Sequence, residues 1–282
     1  MLSYRHSYHA GNFGDVIKHI VLIEILEHLI KKDAPFEYID THAGAGLYNL
    51  HSEHGAKLKE YTNGMGKLKP KEWPELSSYF SVLAKHNPLG KMDYYPGSPV
   101  IAMHYLRNSD RGWFFELHSK DVEILKHNTA NNRRIKVMHE DGFVGLLALL
   151  PPKSKRGLIL VDPSYEIKTD YERVFETIAK AYKKSPTCIY AIWYPVVDRG
   201  LIKQLEKKFI TSGIKRIEQY ELGICADLHK GMTASGLIVI NPPWQLREKM
   251  LRILPRLMET LAEDNNASFK CDVLVGENIN RA

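Results

Sequence analysis

The residues best suited to chemistry are Asp162, Pro163, Ser164 and Tyr165, which follow an apolar run ending at Val161. An acid, a rigid turn and an aromatic ring at the end of a strand can grip the edge of an adenine. The Asp162 carboxylate and the Pro163 carbonyl can accept both hydrogens of its exocyclic amino group, localising the nitrogen lone pair that ring conjugation withdraws. Tyr165 can stack on the base. Proline fixes its own φ and removes a backbone donor, so the carbonyl direction can be held. With an electrophilic methyl donor, catalysis at such a nitrogen needs mainly alignment and a proton acceptor. Taken alone, Asp-Pro is also an ordinary helix start or turn, so its place in the fold must decide.

A rival string, Asn241-Pro242-Pro243-Trp244, fits the pattern for amine methylation more literally. It follows a strand ending at Ile240 and precedes a long amphipathic helix running to about Leu261, far beyond the other candidate site residues. Proline is common at helix starts for structural reasons, and that is the preferred reading of this string, which could still border the pocket.

The elements that must position these residues can be read from periodicity. Asn12 or Asp15 can cap a helix whose apolar residues Val16, Ile20, Ile23, Leu26 and Ile30 recur at helical spacing. A short strand, 36–40, then feeds the small-residue turn Thr41-His42-Ala43-Gly44-Ala45-Gly46. From Trp113 onward strands at 113–116, 135–138, 158–161 and 187–193 alternate with helices starting near Ser119, Phe143, Tyr171 and Leu201. Such alternation predicts an α/β fold with a mostly parallel sheet covered on both faces. Two late strands, 217–222 and 237–240, lack a crossover helix between them and predict an antiparallel edge. The interval between Gly46 and Trp113 is too long for one crossover and includes Pro70, Pro74, Pro88 and Pro96. It predicts a small helical insertion over 50–94, set into a domain formed by 1–49 and 95–282.

In this frame the polar residues gather at the carboxyl ends of the strands, where open parallel sheets bind ligands. Glu116 ends the second strand and suits the two hydroxyls of a ribose, while Asp141-Gly142 follows the third, with Asp141 placed to accept from an adenine amino group. The cofactor should therefore carry a nucleoside. A dinucleotide fingerprint would add a third glycine and an acid roughly 20 residues on. Gly44-Ala45-Gly46 lacks both features, which disfavours NAD and favours S-adenosyl-L-methionine.

The first nineteen residues concentrate unusual chemistry in Tyr4, Arg5, His6, Tyr8, His9, Asn12, Asp15, Lys18 and His19. No cysteine or carboxylate is spaced to complete a zinc site with the histidines, so no metal is expected. The preferred reading is a pocket-lining segment touching cofactor and nucleotide, with Lys18 and Arg5 near phosphates. Solvated or capping histidines are the plainer alternative.

Composition bounds the rest. Hydrophobic residues at 44% and charged residues at 26% describe an ordinary globular chain, and no apolar run approaches the roughly 18 residues of a membrane span. No secretory signal is read at the N-terminus, so a cytoplasmic protein is expected. Cys188, Cys225 and Cys271 form neither a disulfide framework nor a cysteine zinc site. Thirty-nine basic against 33 acidic residues, a formal charge of +6, suit a polyanionic partner without establishing one.

Together, Tyr4 to Asn12 with Asp15, Lys18 and His19, then Asp40 to Gly46, then Asp162-Pro163-Ser164-Tyr165-Glu166, closely resemble the bacterial RlmJ family over nearly the whole chain. The resemblance implies a Rossmann-like class I methyltransferase that modifies the adenine N6 of an adenosine in 23S ribosomal RNA, as naked or early-assembly RNA, and acts as a monomer. It further implies that His19, His42, Ser98, Glu116, Asp141 with Gly142, and Asp162 bind S-adenosyl-L-methionine, that Asp162 is the proton acceptor, and that Tyr4 touches the RNA, with His6 and Lys18 on the same side. Gly44 belongs to the cofactor turn. One departure stands out: the family pattern usually has a second proline where this chain has Ser164. The grip on adenine equally serves a DNA adenine methyltransferase, although no groove-reading module is evident and the insertion is short for one. A non-catalytic RNA-binding protein of the same fold is the other alternative.

Overall fold

Asn12 fixes where the first long helix begins: its Oδ1 accepts from the Asp15 amide at 2.9 Å, and α1 runs over Phe13–Ile30. In the computed structural model, which describes residues 5–130, 132–227 and 229–277, most of α1 is buried, including Asp15, Lys18 and His19. A helix apolar on nearly every side must lie inside the molecule. Strand β1 (Glu37–Asp40) follows it and is buried at all four residues.

After Gly46 the chain enters a short strand rather than a helix. This strand, β2 (Leu47–Asn49), leads into helix α2 (Glu53–Leu58), four single turns of 3-10 helix, helix α3 (Ser77–Lys85) and strand β3 (Tyr94–Pro96), which pairs antiparallel with β2. Pro70 and Pro74 open two of the 3-10 turns, where a missing amide breaks no hydrogen bond. Met65, Trp73, Leu76 and Tyr79 share one apolar cluster with α1, so residues 50–94 pack directly on that helix. The β2–β3 pair brings the Gly97 amide to 2.8 Å from the Gly46 carbonyl. Helix α4 (Ser98–Tyr105) therefore starts beside the glycine turn as if it followed directly. It escaped the periodicity reading because its eight residues are too short and too evenly apolar to show a face.

The expected alternation then holds through β4 (Arg111–Phe115), α5 (Ser119–Asn128), β5 (Ile135–Met138), α6 (Gly142–Leu149), β6 (Gly157–Val161), α7 (Thr169–Lys184), β7 (Ile189–Val196) and α8 (Arg199–Thr211). These strands pair in parallel in the order β7-β6-β1-β4-β5. The central β6 divides its side chains by the period of a strand. Leu158 and Leu160 join the apolar layer of α1 and α4, while Ile159 and Val161 join that of α6, α7 and α8.

Strands β8 (Ile217–Gly223) and β9 (Ala234–Ile240) complete the antiparallel side, with β9 between β7 and β8. Helix α9 (Leu246–Leu261) packs over them, and strand β10 (Ser268–Val275) pairs with β8 at the edge. This last strand was not anticipated, because Lys270 and Asp272 interrupt an apolar pattern that an edge strand hardly needs. Ile240 pairs with Tyr190 and Ala234 with Val196, so β9 ends where β7 begins. Among the described residues no helix is long and apolar enough to cross a membrane.

Candidate active site

All the parallel strands end at one edge of the sheet, and a cavity of about 480 Å³ opens there. His6, Lys18, His19, His42, Gly44, Ser98, Glu116, Asp141, Gly142, Asp162, Pro163 and Tyr165 all line it. Tyr4 lies outside the described residues.

One half of the cavity is built on the glycine turn. Gly44 has φ +59°, and a Cβ there would stand 2.2 Å from the Tyr48 hydroxyl oxygen. Its amide donates to Glu116 Oε2 at 2.8 Å, and the His118 amide donates to Glu116 Oε1 at 2.6 Å. Burial pushes the Glu116 carboxyl up despite those two amides. Each oxygen keeps a further acceptor direction for a hydroxyl. Gly142 is sterically compulsory, since a Cβ would lie 1.8 Å from the Thr41 carbonyl oxygen. This close approach seats α6 against β1, with Asp141 as its N-cap.

Asp141 Oδ1 accepts from the Phe143 and Val144 amides, and Oδ2 pairs with Arg173 at 2.6 Å. Burial alone would raise this carboxyl, but Arg173 and the amides hold it below the usual value. Arg173 comes from α7, and no sequence signal linked it to Asp141. Beneath the floor, Asp40 Oδ2 accepts from Ser98 Oγ at 2.7 Å and from the Tyr38 hydroxyl at 2.9 Å. Burial pushes Asp40 up to about 6, against these two hydrogen bonds. An acid ending a mainly apolar strand is the sequence signal for this buried hydrogen-bonded carboxyl.

Two histidines of the cavity wall, His19 and His42, are held neutral by burial. Burial lowers His19 to about 3 and His42 to about 4. His19 Nδ1 lies 2.8 Å from the Tyr95 hydroxyl, and the His42 ring meets Phe143 edge-on.

The other half centres on Asp162. Its Oδ2 accepts from Lys18 Nζ at 2.6 Å, and the same ammonium lies 2.8 Å from Asp15 Oδ1. Asp15 Oδ2 is met by His6 Nε2 and the Gly11 amide, both at 2.8 Å. Burial pushes Asp162 above the usual carboxylate value, with Lys18 pulling the other way. At Asp15 burial also acts upward, but His6 and Lys18 outweigh it and the carboxyl stays well below its ordinary value. Burial works against the Lys18 charge, and the two carboxylates more than restore it. Lys18 is thus placed differently from the phosphate-side position expected of it. It is 3% exposed and its charge is spent on Asp15 and Asp162. Arg5 is likewise engaged, with Asp121 at 2.7 Å. The spacing of Asp15 and Lys18, one helical turn apart, was the signal for their pairing.

Tyr165 has φ +51° and donates its hydroxyl to the Trp193 carbonyl at 2.6 Å, which fixes the Asp162–Tyr165 turn to β7. Trp193 also lines the cavity and lies under Lys18, 5.4 Å from ring centroid to Nζ. Among the described residues no cluster of histidine, cysteine and acid is arranged to hold a metal. Asn241 is remote from all of this. Its Nδ2 donates to the Pro186 and Cys188 carbonyls at the start of β7, the opposite end of the sheet.

A family model described as ribosomal RNA large subunit methyltransferase D, RlmJ, matches residues 33–275. The ribosomal RNA large subunit methyltransferase J of Escherichia coli is 49% identical over 93% of this chain and 94% of its own length. That of Haemophilus influenzae is 45% identical over 98% of this chain and 100% of its own. A solved structure from Legionella pneumophila superposes with a TM-score of 0.86 at 36% identity, covering 94% of this chain and 98% of that one. Matched over nearly its full length, the chain belongs to the RlmJ family of ribosomal RNA large subunit methyltransferases.

Proposed function

We propose that this protein transfers a methyl group from S-adenosyl-L-methionine to the N6 amino group of an adenosine in 23S ribosomal RNA, with Asp162 as proton acceptor. One observation carries the reading. A single cavity joins a nucleoside-holding half, Gly44, Glu116 and Asp141, to a base-gripping half, Asp162 to Tyr165 with Trp193. The residues fit the cofactor. The free acceptor directions of Glu116 suit two ribose hydroxyls, and Asp141 Oδ2 retains one direction beside Arg173 for an adenine amino group. The glycine turn and Ser98 border the same half. Bound S-adenosyl-L-methionine supplies an electrophilic sulfonium methyl.

The protein's own task is then alignment and proton transfer. Lys18 holds Asp162 Oδ2 and leaves Oδ1 to accept from the amine. Asp162 and the Pro163 carbonyl accept the two amino hydrogens, and the raised basicity of Asp162 suits it to take the proton once nitrogen is alkylated. Tyr165 and Trp193 border the face of the base, and His6 stands on the RNA side. We read residues 50–94 as an insertion subdomain on the methyltransferase domain of 1–49 and 95–282, and the enzyme as a monomer acting in the cytoplasm on naked or early-assembly RNA. The test incubates purified protein and labelled S-adenosyl-L-methionine with deproteinised 23S rRNA, assembled subunits and duplex DNA. Label in N6-methyladenosine of the naked rRNA is expected; label on DNA alone overturns the reading.

A further inference from the structure

The end of the sheet opposite Asp162 carries features that the methyl transfer leaves unused. It collects the C-termini of the helices and many cations, and its arginines are consumed structurally. Arg156 donates to the Leu29 and Ala34 carbonyls, Arg134 to that of Leu106, and Arg107 is fixed on Asp110. Such contacts complement helix ends and say nothing of a partner.

The lysines differ. Lys153 and Lys155 are exposed, and their side chains form no hydrogen bond or ion pair with any described residue. Lys184 reaches only the Leu147 carbonyl, at 2.7 Å. The three border a cavity of about 450 Å³ between residues 151–155 and 184–187, with no carboxylate in its lining. Lys155 moreover holds φ +56°, a conformation that glycine adopts without strain.

The Asn241 string adjoins this cavity. Asn241 Nδ2 donates at 2.8 Å to the carbonyl of Pro186, a lining residue, and Arg216 donates to the Pro242 carbonyl at 3.3 Å. These bonds and two consecutive prolines hold a rigid turn from which Trp244 emerges 74% exposed. A solvent-facing indole on a fixed backbone, at the same end of the sheet as lysines that meet no carboxylate, joins a stacking platform to phosphate contacts.

We infer that this face is a second RNA-binding surface, where Lys153, Lys155 and Lys184 hold backbone phosphates and Trp244 stacks on an unpaired base. The inference rests on the proposed function for its ligand, a further segment of the ribosomal RNA that presents its adenosine to Asp162. Strand β6 rises about 3.3 Å per residue, so roughly 15–20 Å of protein separates the two sites, a span that one folded RNA can bridge.

The experiment compares wild type, Lys153→Glu/Lys155→Glu/Lys184→Glu and Trp244→Ala. Methyl transfer to deproteinised 23S rRNA gives KM and kcat, and anisotropy titrations of labelled 23S fragments across a salt series give Kd and its salt slope. The triple variant should raise KM about tenfold or more at unchanged kcat and flatten the slope of log Kd against log salt by roughly 2–3. Trp244→Ala should weaken binding of looped fragments by about 5- to 100-fold and leave the slope alone. Melting at the wild-type temperature establishes that the variants are folded. Wild-type KM, Kd and slope in folded variants overturn the inference, as does a loss of turnover confined to assembled subunits, which indicates a protein partner. If wild type methylates no rRNA while the variants still lose RNA binding, the proposed function fails and this surface stands.

Discussion

Asp162 and Asn241 each follow a buried strand, each precedes proline, and an aromatic residue comes three positions later in both, yet they stand at opposite ends of the same sheet. Strand β6 runs parallel to its neighbours and delivers Asp162 into the cavity with the ends of β1, β4 and β5. Strand β9 runs antiparallel to β7 and delivers Asn241 to the loop that precedes β7. The surroundings differ accordingly. Asp162 keeps its carboxylate in a desolvated pocket against the ammonium of Lys18, itself anchored by Asp15, whereas Asn241 spends both amide hydrogens on carbonyls. Similar strings acquire different chemistry from strand direction, which composition does not reveal.

The largest effect that separates the two ends is expected at Asp162. Asp162→Ala should lower kcat about a thousandfold, within the range for loss of a general base. The fold should survive, because Asp15 still compensates the buried Lys18 ammonium. Single-turnover transfer with labelled cofactor, run beside a thermal melt, checks both halves of the claim. Loss of transfer in Asn241→Ala with activity retained in Asp162→Ala would reverse the assignment.

The acids of the Asp162 end also predict two pH dependences. Asp162 must be ionised to accept a proton, and burial raises its carboxyl, so kcat should fall about tenfold per unit on an acid limb above the usual carboxylate range. Asp40 bears on stability. Its folded value of about 6 lies above the ordinary 3.8, so the folded protein binds that proton more tightly than the unfolded chain does. The resulting stabilisation is complete below the unfolded value and is lost as pH rises through about 6. Asp40→Asn should remove most of that fall, on the order of 3 kcal/mol, in melts between pH 4 and 7. Parallel curves for wild type and variant would show that Asp40 does not carry it.

Much of this arrangement was legible because long-range order in an α/β fold follows from local alternation. The strands carrying Glu116, Asp141 and Asp162 each stood out as apolar runs flanked by helical patterns, and their carboxyl ends had to meet. What was missed depended on contacts between distant segments. Arg173 reaches Asp141 from another helix, Lys18 turns inward to Asp162, and α4 starts at the glycine turn only because β2 and β3 close the insertion. Strand β10 escaped notice because an edge position tolerates the polar residues that hid it.

At Asn241 itself the expected effect is on stability and not on kcat. Asn241 has φ +55° and two side-chain hydrogen bonds, so Asn241→Ala loses both and strains the backbone, costing about 1–3 kcal/mol. Asn241→Gly relieves the strain without restoring the bonds and should fall between. Both variants should keep kcat within about twofold. Denaturant melts and initial rates measured on the same preparations show whether the string is structural.

The smallest effect is expected where the two strings differ most plainly, at Ser164 against Pro243. Neither the amide nor the hydroxyl of Ser164 makes a hydrogen bond with a described residue, so Ser164→Pro removes none of those contacts. A proline there restricts Pro163 to extended backbone. The sharp residue of the turn is Tyr165, at φ +51°, and it is anchored independently by its hydroxyl on the Trp193 carbonyl and its ring against Tyr171. Because the anchor rather than residue 164 sets the shape, Ser164→Pro should leave kcat within about twofold and shift stability by no more than about 1 kcal/mol. A tenfold loss of kcat at unchanged melting temperature would mean that the Asp162 turn must flex at Ser164 to grip its base. The rigid Pro-Pro turn at the other end would then be unfit for catalysis in shape as well as in position.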